Sequence, residues 1–311
     1  MELRHLRYFL AVAEEKNFTR AAARIGIGQP PLSHQIQDLE RELGVMLFHR
    51  VPHGAELTEA GQAFLPRAQS ALVQADQARV AAQRASRGET GHIRIGFTGA
   101  GAFNPAVPAV IRGFRRAYPE VVVDLEERNT GHLVEGLRDN GLDGAFIRPG
   151  PEDLSDLRLM DFTNEPMMIA LPESHPRAGE ARLPLTALAR EPLILFPREI
   201  SIGLYDEVLS CCRAAGFEPV LGQQAPQFAS AVNLVAAEIG VSVVPRSFAR
   251  IRVEGVAYIE IADIAPAARL AFAHHRGSRS VTLRNFSALV LGAILNPAPT
   301  KNGRRIPSGR S

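Results

Sequence analysis

The 311-residue chain predicts a mixed α/β fold with three parts: a small helical head carrying a two-stranded hairpin, one long helix, and a body of alternating strands and helices. Three observations carry this reading. In "IGQPPLSHQIQDLE", residues 27–40, an apolar stripe at helical spacing follows a glycine turn and two prolines. From Thr58 to about Arg87 the only breakers are Gly61 and Pro66, both in or near the first two turns. Beyond residue 92, strand-like apolar runs alternate with amphipathic stretches, the order expected of a parallel sheet covered by helices.

The head is taken first. Residues 3–16 place Leu6, Phe9, Leu10 and Ala13 on one helical face. Asn17-Phe18-Thr19 opens a second, short helix, with Thr19 expected as its N-cap and Gly26 as its stop. Ala22 and Ala23 on that helix are small enough to let another helix approach. In the third helix Leu32, Ile36, Leu39 and Leu43 form a narrow stripe. Its prolines start the helix: Pro31 is expected at the first helical position, where a missing N–H has no acceptor to lose. Two helices joined by a tight glycine turn, the second longer, make the helix-turn-helix pattern. "MLFHRVPHGAELT", residues 46–58, then reads as a two-stranded wing about Pro52-His53-Gly54.

The long stretch, residues 59–87, would reach about 45 Å as a helix. Such a helix is not stable alone, and Leu65, Ala68, Leu72, Ala75 and Ala82 offer a seam for a partner helix. Residues 88–91 read as a hinge. In the body, "HIRIGF", "VVVDLEE" and "DGAFI" are strands, separated by helices over 106–118 and 130–140. A second set follows: strands "MMIAL" and "LILF", helices 204–215 and 229–237, and strand "VSVVP". Strand "ARLAFAHH" and a helix from Val281 to Leu295 close it, and the Pro-, Gly- and Arg-rich residues 296–311 are expected to be a disordered tail.

The exposed side of the third helix suggests function. Opposite the apolar stripe lie Gln29, Pro30, Ser33, His34 and Gln37. A solvated face normally carries Lys, Glu and Asp; this one is uncharged and rich in hydrogen-bonding groups, and it sits at a helix N-terminus. Such a face suits base edges and phosphates in a major groove of double-stranded DNA. Arg50 and His53 in the wing are candidate backbone or minor-groove contacts. Residues 1–58 contain seven basic and seven acidic side chains, and the whole chain has net charge +2. Affinity for phosphates must then rest on geometry and self-association more than on bulk charge.

Several function classes are excluded. The only cysteines, Cys211 and Cys212, are neighbours, so there is no disulfide framework, and they read as small buried thiols in an apolar helix. No apolar run approaches the ~18 residues of a membrane span, and the N-terminal apolar patch is too short for a signal peptide. A cytoplasmic protein without a membrane partner is the default. No nucleophile elbow or carboxylate pair is visible. His274 and His275 point to opposite strand faces, and neither a metal nor a cofactor is expected. One enzyme reading competes. Gly96-x-x-Gly99-x-Gly101 follows a strand, and Asp124 and Glu126 end the next, the skeleton of a dinucleotide site. Its spacing departs from Gly-x-Gly-x-x-Gly, Pro105 and Pro108 interrupt the helix that should follow, and it lies mid-chain behind a helix-turn-helix.

The stretch "MELRHLRYFLAVAEEKNFTRAAARIGIGQPPLSHQIQDLERELGVMLFHR" resembles the N-terminal signature of LysR-type transcriptional regulators. The resemblance continues through the long helix, hinge and paired α/β region. "QPPLSHQIQDLE", "IRIGF", "DGAFIRP" and "NLVAAEIGVSVVP" are similar to the branch that senses intermediates of aromatic degradation. The resemblance implies a winged helix-turn-helix over 1–58 and a dimerising linker helix over 59–87. It also implies a two-lobed effector domain like a periplasmic binding protein, with one lobe from 92–162 and 266–295 and the other from 163–265. Such proteins usually assemble as tetramers of dimer-forming chains. The helix that contacts bases and phosphates corresponds to Gln29–Gln37, with Pro31 inside it and Thr19 near it. Where many members carry arginine, His34 follows the helix serine, which implies pH-sensitive DNA binding.

The family's inter-lobe pocket corresponds to Thr98, Gly99 and Ala100, to Thr130, to Pro197 with Ile202, Gly203 and Leu204, and to Phe228. Open α/β sheets bind ligands at the carboxyl ends of their strands. Arg148, just past "DGAFI", is either a cation for an effector carboxylate or a structural arginine. Ala100 lacks the hydroxyl that relatives with serine present there. The implied effector is an aromatic carboxylate or its ring-cleavage dicarboxylate, and a regulator without any effector is the remaining alternative.

Overall fold

The computed structural model describes residues 1–52 and 54–296. His53 and residues 297–311, expected in the wing and the tail, lie outside the described residues. The chain forms two compact units that divide between Ser86 and Arg87. Among the described residues no helix is long and apolar enough to cross a membrane.

The first unit contains α1 (Leu3–Glu15), α2 (Phe18–Ile25), α3 (Gln29–Leu43), β1 (Phe48–Val51), β2 (Gly54–Leu57) and α4 (Glu59–Ser86). Leu6, Phe9, Val12, Ala21, Ala22, Leu32, Ile36 and Leu39 close around Leu47 and Phe48 in one core. Two expectations about helix starts are corrected. The N-cap of α2 is Asn17, in extended conformation, whose side chain accepts the Arg20 N–H at 3.0 Å. Thr19 therefore lies inside the first turn, exposed. Helix α3 begins at Gln29, which moves Pro30 and Pro31 to its second and third positions. Nothing is lost by this, because the first i→i−4 bond comes from Leu32 N to Gly28 O.

The strands β1 and β2 pair antiparallel from Phe48↔Leu57 to Val51↔Gly54, giving the expected wing. Buried Glu40 of α3 locks it in place, accepting the N–H groups of Leu47 at 2.7 Å and Phe48 at 3.1 Å. At the start of α4 a Cβ on Gly61 would land on the Leu47 carbonyl, so only glycine permits this approach. The proposed seam of α4 divides. Leu65, Ala68 and Leu72 pack into the unit's own core, whereas Ala82 is exposed.

The second unit contains β3 (Thr90–Phe97), α5 (Gly99–Phe103), α6 (Ala106–Ala117), β4 (Glu120–Glu127), α7 (Thr130–Arg138), β5 (Gly144–Ile147), β6 (Leu157–Pro172) and β7 (Arg182–Leu183). It continues through β8 (Pro192–Leu195), α8 (Ile202–Ala214), β9 (Val220–Gln224), α9 (Phe228–Ala236), β10 (Val241–Pro245), β11 (Val256–Ile261), β12 (Ala267–His275) and α10 (Val281–Leu295). The strands run in the order β4-β3-β5-β12-β6-β10-β8-β9, with β11 joined to β6 and β7. As expected, β3 pairs in parallel with β4 and β5, and β8 does so with β9 and β10. The sheet as a whole is mixed, however, because β6 and β12 enter it antiparallel.

These two strands carry the chain between two lobes. β6 pairs with β12 as far as Pro166↔Ala267, then with β10 from Met167 onward. Proline lacks the N–H needed to continue a ladder, so Pro166 and Pro266 suit a change of partner. The expected strand "MMIAL" is only the fully buried end of β6; its first half alternates and is half exposed. Ile95, Phe114, Phe146, Phe272 and Phe286 fill the first lobe, and Ile169, Leu171, Ile194, Val232 and Val243 fill the second. The expected hinge is tighter than a free linker. Gly88, at φ +65°, packs on the start of α10, and Thr90 and Gly91 already pair with β4.

Candidate functional site

Two surfaces carry the polar groups that could act on another molecule. On α3, Gln29, Pro30, Pro31, His34 and Gln37 are exposed and Ser33 is half-buried, while Leu32, Ile36 and Leu39 turn inward. Gln29 Nε2 donates to Ser33 Oγ at 2.8 Å. His34 Nδ1 lies 3.0 Å from the Asp38 carboxylate, whose other oxygen accepts from Arg41 at 2.7 Å. The two prolines remove two of the N–H groups that a helix start normally exposes. Gln29 thus supplies the backbone donor at this end, and recognition shifts to side chains. Arg50 extends from the wing with its guanidinium carbon 5.6 Å from the centre of the Phe18 ring, a cation–π placement that fixes its direction.

The second surface is a cavity of about 420 Å³ within the second unit, between its two lobes. The first lobe contributes the ends of three parallel strands: Thr98, Gly99 and Ala100 after β3; Glu127, Arg128 and Asn129 at the end of β4; and Arg148 after β5. From the second lobe come Ile200, Ser201 and Leu204 around the start of α8, and Pro226, Gln227, Phe228 and Ala229 around the start of α9. Phe103, Phe196 and Phe248 complete an aromatic wall with Phe228. Ring centroids are 4.6 Å apart for Phe103–Phe248, 5.3 Å for Phe228–Phe248 and 5.0 Å for Phe196–Phe228.

Arg148 is the chemical centre of this cavity. It is 3% exposed, and burial pushes its guanidinium down to about 10, against a smaller opposing pull from Glu165. Nη1 donates to the Arg269 carbonyl at 3.3 Å, whereas Nε and Nη2 are buried without any hydrogen-bond partner. Glu165 stands 3.9 Å from Nη2, too far for a hydrogen bond. Its oxygens are held elsewhere, by Ser247 N at 3.1 Å and Ser247 Oγ at 3.2 Å in the second lobe. Asn104 Nδ2 of the first lobe donates to it at 3.5 Å. A buried donor pair without a protein partner is expensive, so these two nitrogens are the groups on this wall best placed to receive an acceptor from a ligand. The unpartnered Oγ of Ser201 lies on the opposite wall.

Of the residues anticipated for the pocket, Thr98, Gly99, Ala100, Arg148, Leu204 and Phe228 line it. Thr130, Pro197, Ile202 and Gly203 do not. The Thr130 hydroxyl is engaged with the backbone of Arg148, at 3.4 Å to its N and 3.5 Å to its O, and so positions the arginine. Gly203 is where the lobes meet: a Cβ there would lie 2.6 Å from the Pro149 carbonyl. The remaining wall residues escaped sequence reasoning. Phe196 ends the apolar run "LILF" and carried some signal, but Phe103 and Phe248 converge only in space. The rival dinucleotide reading finds no support in the geometry. Asp124 pairs with His92 and Glu126 with Arg128, and Gly99 and Gly101 lie in the five-residue α5. Cys211 and Cys212 are buried in α8, and burial raises both thiols, Cys212 to about 11, which makes them poor nucleophiles.

Comparison with known proteins finds one family over both units. A family model described as "Bacterial regulatory helix-turn-helix protein, lysR family" matches residues 3–62, and one described as "LysR substrate binding domain" matches residues 86–294. The HTH-type transcriptional regulator BudR of Raoultella terrigena is 40% identical over 92% of this chain and 99% of its own length. Among solved structures, CbnR, a LysR family transcriptional regulator, superposes with a TM-score of 0.85 at 30% identity, covering 93% of this chain and all of CbnR. Full-length CbnR in complex with its target DNA gives 0.83 at 30% identity, over 94% of this chain and all of that one.

Proposed function

The chain belongs to the LysR family of bacterial transcriptional regulators, and from that premise we propose that it switches its grip on operator DNA when a small carboxylic acid enters the inter-lobe cavity. The first unit is the DNA reader. Gln29, Ser33, His34 and Gln37 face the major groove, and Thr19 and Arg50 reach the flanking backbone. The exposed part of α4 pairs with a second copy, and the dimers assemble into tetramers. CbnR, to which this chain is similar throughout, has been captured on its target DNA.

The open Nε and Nη2 donors of Arg148 carry the effector reading. Side by side, they form the fork that grips a carboxylate through two parallel hydrogen bonds. Both are sealed from solvent, so a ligand reaches them only as the lobes or the side chain shift. Glu165, held by Ser247 of one lobe and Asn104 of the other, is the neighbouring negative charge. A ligand carboxylate changes the balance between Arg148 and Glu165, and with it the preferred angle of the lobes. Effector binding then selects one arrangement of the assembly and one spacing of its DNA-reading helices.

Titration of the full-length protein with aromatic acids, followed by thermal shift and by footprinting on DNA upstream of its own gene, tests this reading. Micromolar binding and an altered footprint are expected, both lost in Arg148→Met. Equal binding by Arg148→Met, or no binding of any acid at millimolar concentration, would remove the effector claim. A 420 Å³ cavity beside an unsatisfied arginine supports this reading over that of a regulator without an effector.

A further inference from the structure

We infer that His34 selects an operator base that carries an amino group, adenine or cytosine, because Asp38 holds its ring as a hydrogen-bond acceptor. The inference concerns one step of the DNA reading above and rests on α3 facing the major groove.

Asp38 lies one turn after His34 on the same face of α3, the spacing at which two helical side chains meet. His34 Nδ1 is 3.0 Å from Asp38 Oδ2, and Arg41 Nη1 donates to Oδ1 of the same carboxylate at 2.7 Å. An ionised carboxylate has no hydrogen to give, so the hydrogen in the His34 contact belongs to Nδ1. Arg41 already supplies the positive charge opposite Asp38, and the ring is not needed as a second cation. A neutral ring with its hydrogen on Nδ1 presents a bare lone pair at Nε2. Among the described residues nothing bonds to that nitrogen, and the side chain is 70% exposed. One turn earlier the same spacing fixes Gln29, whose Nε2 donates to Ser33 Oγ at 2.8 Å.

The major groove offers few matches for a bare acceptor. Guanine presents N7 and O6 there and thymine presents O4, all of them acceptors. Only the N6 amino group of adenine and the N4 amino group of cytosine donate. Arginine, which many members of the family carry after the helix serine, has donors alone and prefers guanine. His34 therefore reverses the choice at this step. The rest of the first unit adds little bulk charge to mask it. Arg4 is paired with Glu2, Arg20 with Glu15, and Arg24 with Glu14 and Glu15. With Arg41 held by Asp38, discrimination falls to hydrogen bonds between side chains and base edges.

Fluorescence anisotropy with the full-length protein at about pH 8, where an ordinary imidazole is neutral, decides the matter. The probe is the DNA footprinted upstream of its own gene, with each base pair of one half-site replaced in turn by the other three. The wild type should favour adenine or cytosine by about tenfold at the position that His34→Ala makes indifferent. Exchanging that base for its analogue without the amino group, 2-aminopurine or pyrimidin-2-one, should cost the wild type a similar factor and His34→Ala nothing. His34→Arg should move the preference to guanine. Asp38→Ala frees the ring to carry its hydrogen on Nε2, and should flatten the preference to less than about threefold. A wild-type preference for guanine or thymine at the His34 position would overturn the proposal, as would an Asp38→Ala profile identical with that of the wild type. So would unchanged preferences in His34→Ala where Gln29→Ala or Gln37→Ala relaxes one. If none of these three alanine variants alters any base preference, the reading of α3 as the groove-facing helix fails instead.

Discussion

A guanidinium at 3% exposure with two unpartnered nitrogens opposes folding, and Arg148 is tolerated because its neighbours make the opposition small. Glu165 at 3.9 Å supplies part of the missing field, and Thr130 fixes the backbone from which the side chain extends. The pH behaviour follows from the sign of the shift. A base whose folded value lies below its unfolded one penalises folding at every pH below the folded value, and the penalty fades as pH rises past it. With Arg148 at about 10, the group stays charged through the neutral range. Affinity for a carboxylate effector should accordingly be flat from about pH 6 to 9 and fall above 10, as titrations in matched ionic strength will show. A steep loss between pH 7 and 8 would assign the anion contact to another group. Arg148 was legible in the sequence because it follows a strand end, where ligands bind in α/β sheets. That its fork is open was not, since this depends on where Glu165, Ser247 and Asn104 send their hydrogen bonds.

At the scale of elements, the DNA reader is held by one buried acid that hydrophobic periodicity does not reveal. Glu40 follows Leu39 on α3 and bonds two consecutive amides of the wing, Leu47 and Phe48. Removing it by Glu40→Ala strands two buried N–H groups and should lower the stability of the first unit by about 2–3 kcal/mol. Glu40→Gln retains the accepting oxygen and should cost less than about 1 kcal/mol. Denaturant melts of the full-length protein, read beside operator affinity, test this. Two equally stable variants would mean the wing is held by Leu47 and Phe48 packing alone. The helix starts teach a related lesson. Pro30 and Pro31 announce α3 reliably, but its first residue and the Asn17 cap of α2 were set by which side chain reached a free N–H. A choice between Asn17 and Thr19 is a matter of backbone angle that residue type leaves undecided.

Over the whole second unit, function depends on how the two lobes meet. They are joined by β6 and β12 side by side, and α8 comes down on the Pro149–Gly150 backbone at Gly203 with no space for a side chain. Gly203→Ala inserts a methyl group there, an overpacking worth about 1–3 kcal/mol. If the lobes part here when the effector binds, the added methyl penalises only the closed arrangement, and Gly203→Ala should tighten effector binding by about tenfold. Matched effector titrations of wild type and variant check it. An unchanged effector affinity would show that the contact persists when the ligand is bound.

The sequence by itself determined the parts whose information is local. Periodicity and turn residues gave the helix-turn-helix, the wing, the long helix and the alternating strands of the body, because each is written within a few turns of chain. The uncharged face of α3 was equally local. Tertiary structure alone decided what depends on residues far apart. It made the sheet mixed rather than parallel, by pairing β6 with β12 across more than a hundred residues. It turned half of the α4 seam toward the unit's own core. It also brought Phe103, Phe196, Phe228 and Phe248 together in the wall of the cavity that Arg148 lines. A cavity is the space left when distant surfaces fail to close, and only the packed chain specifies that space.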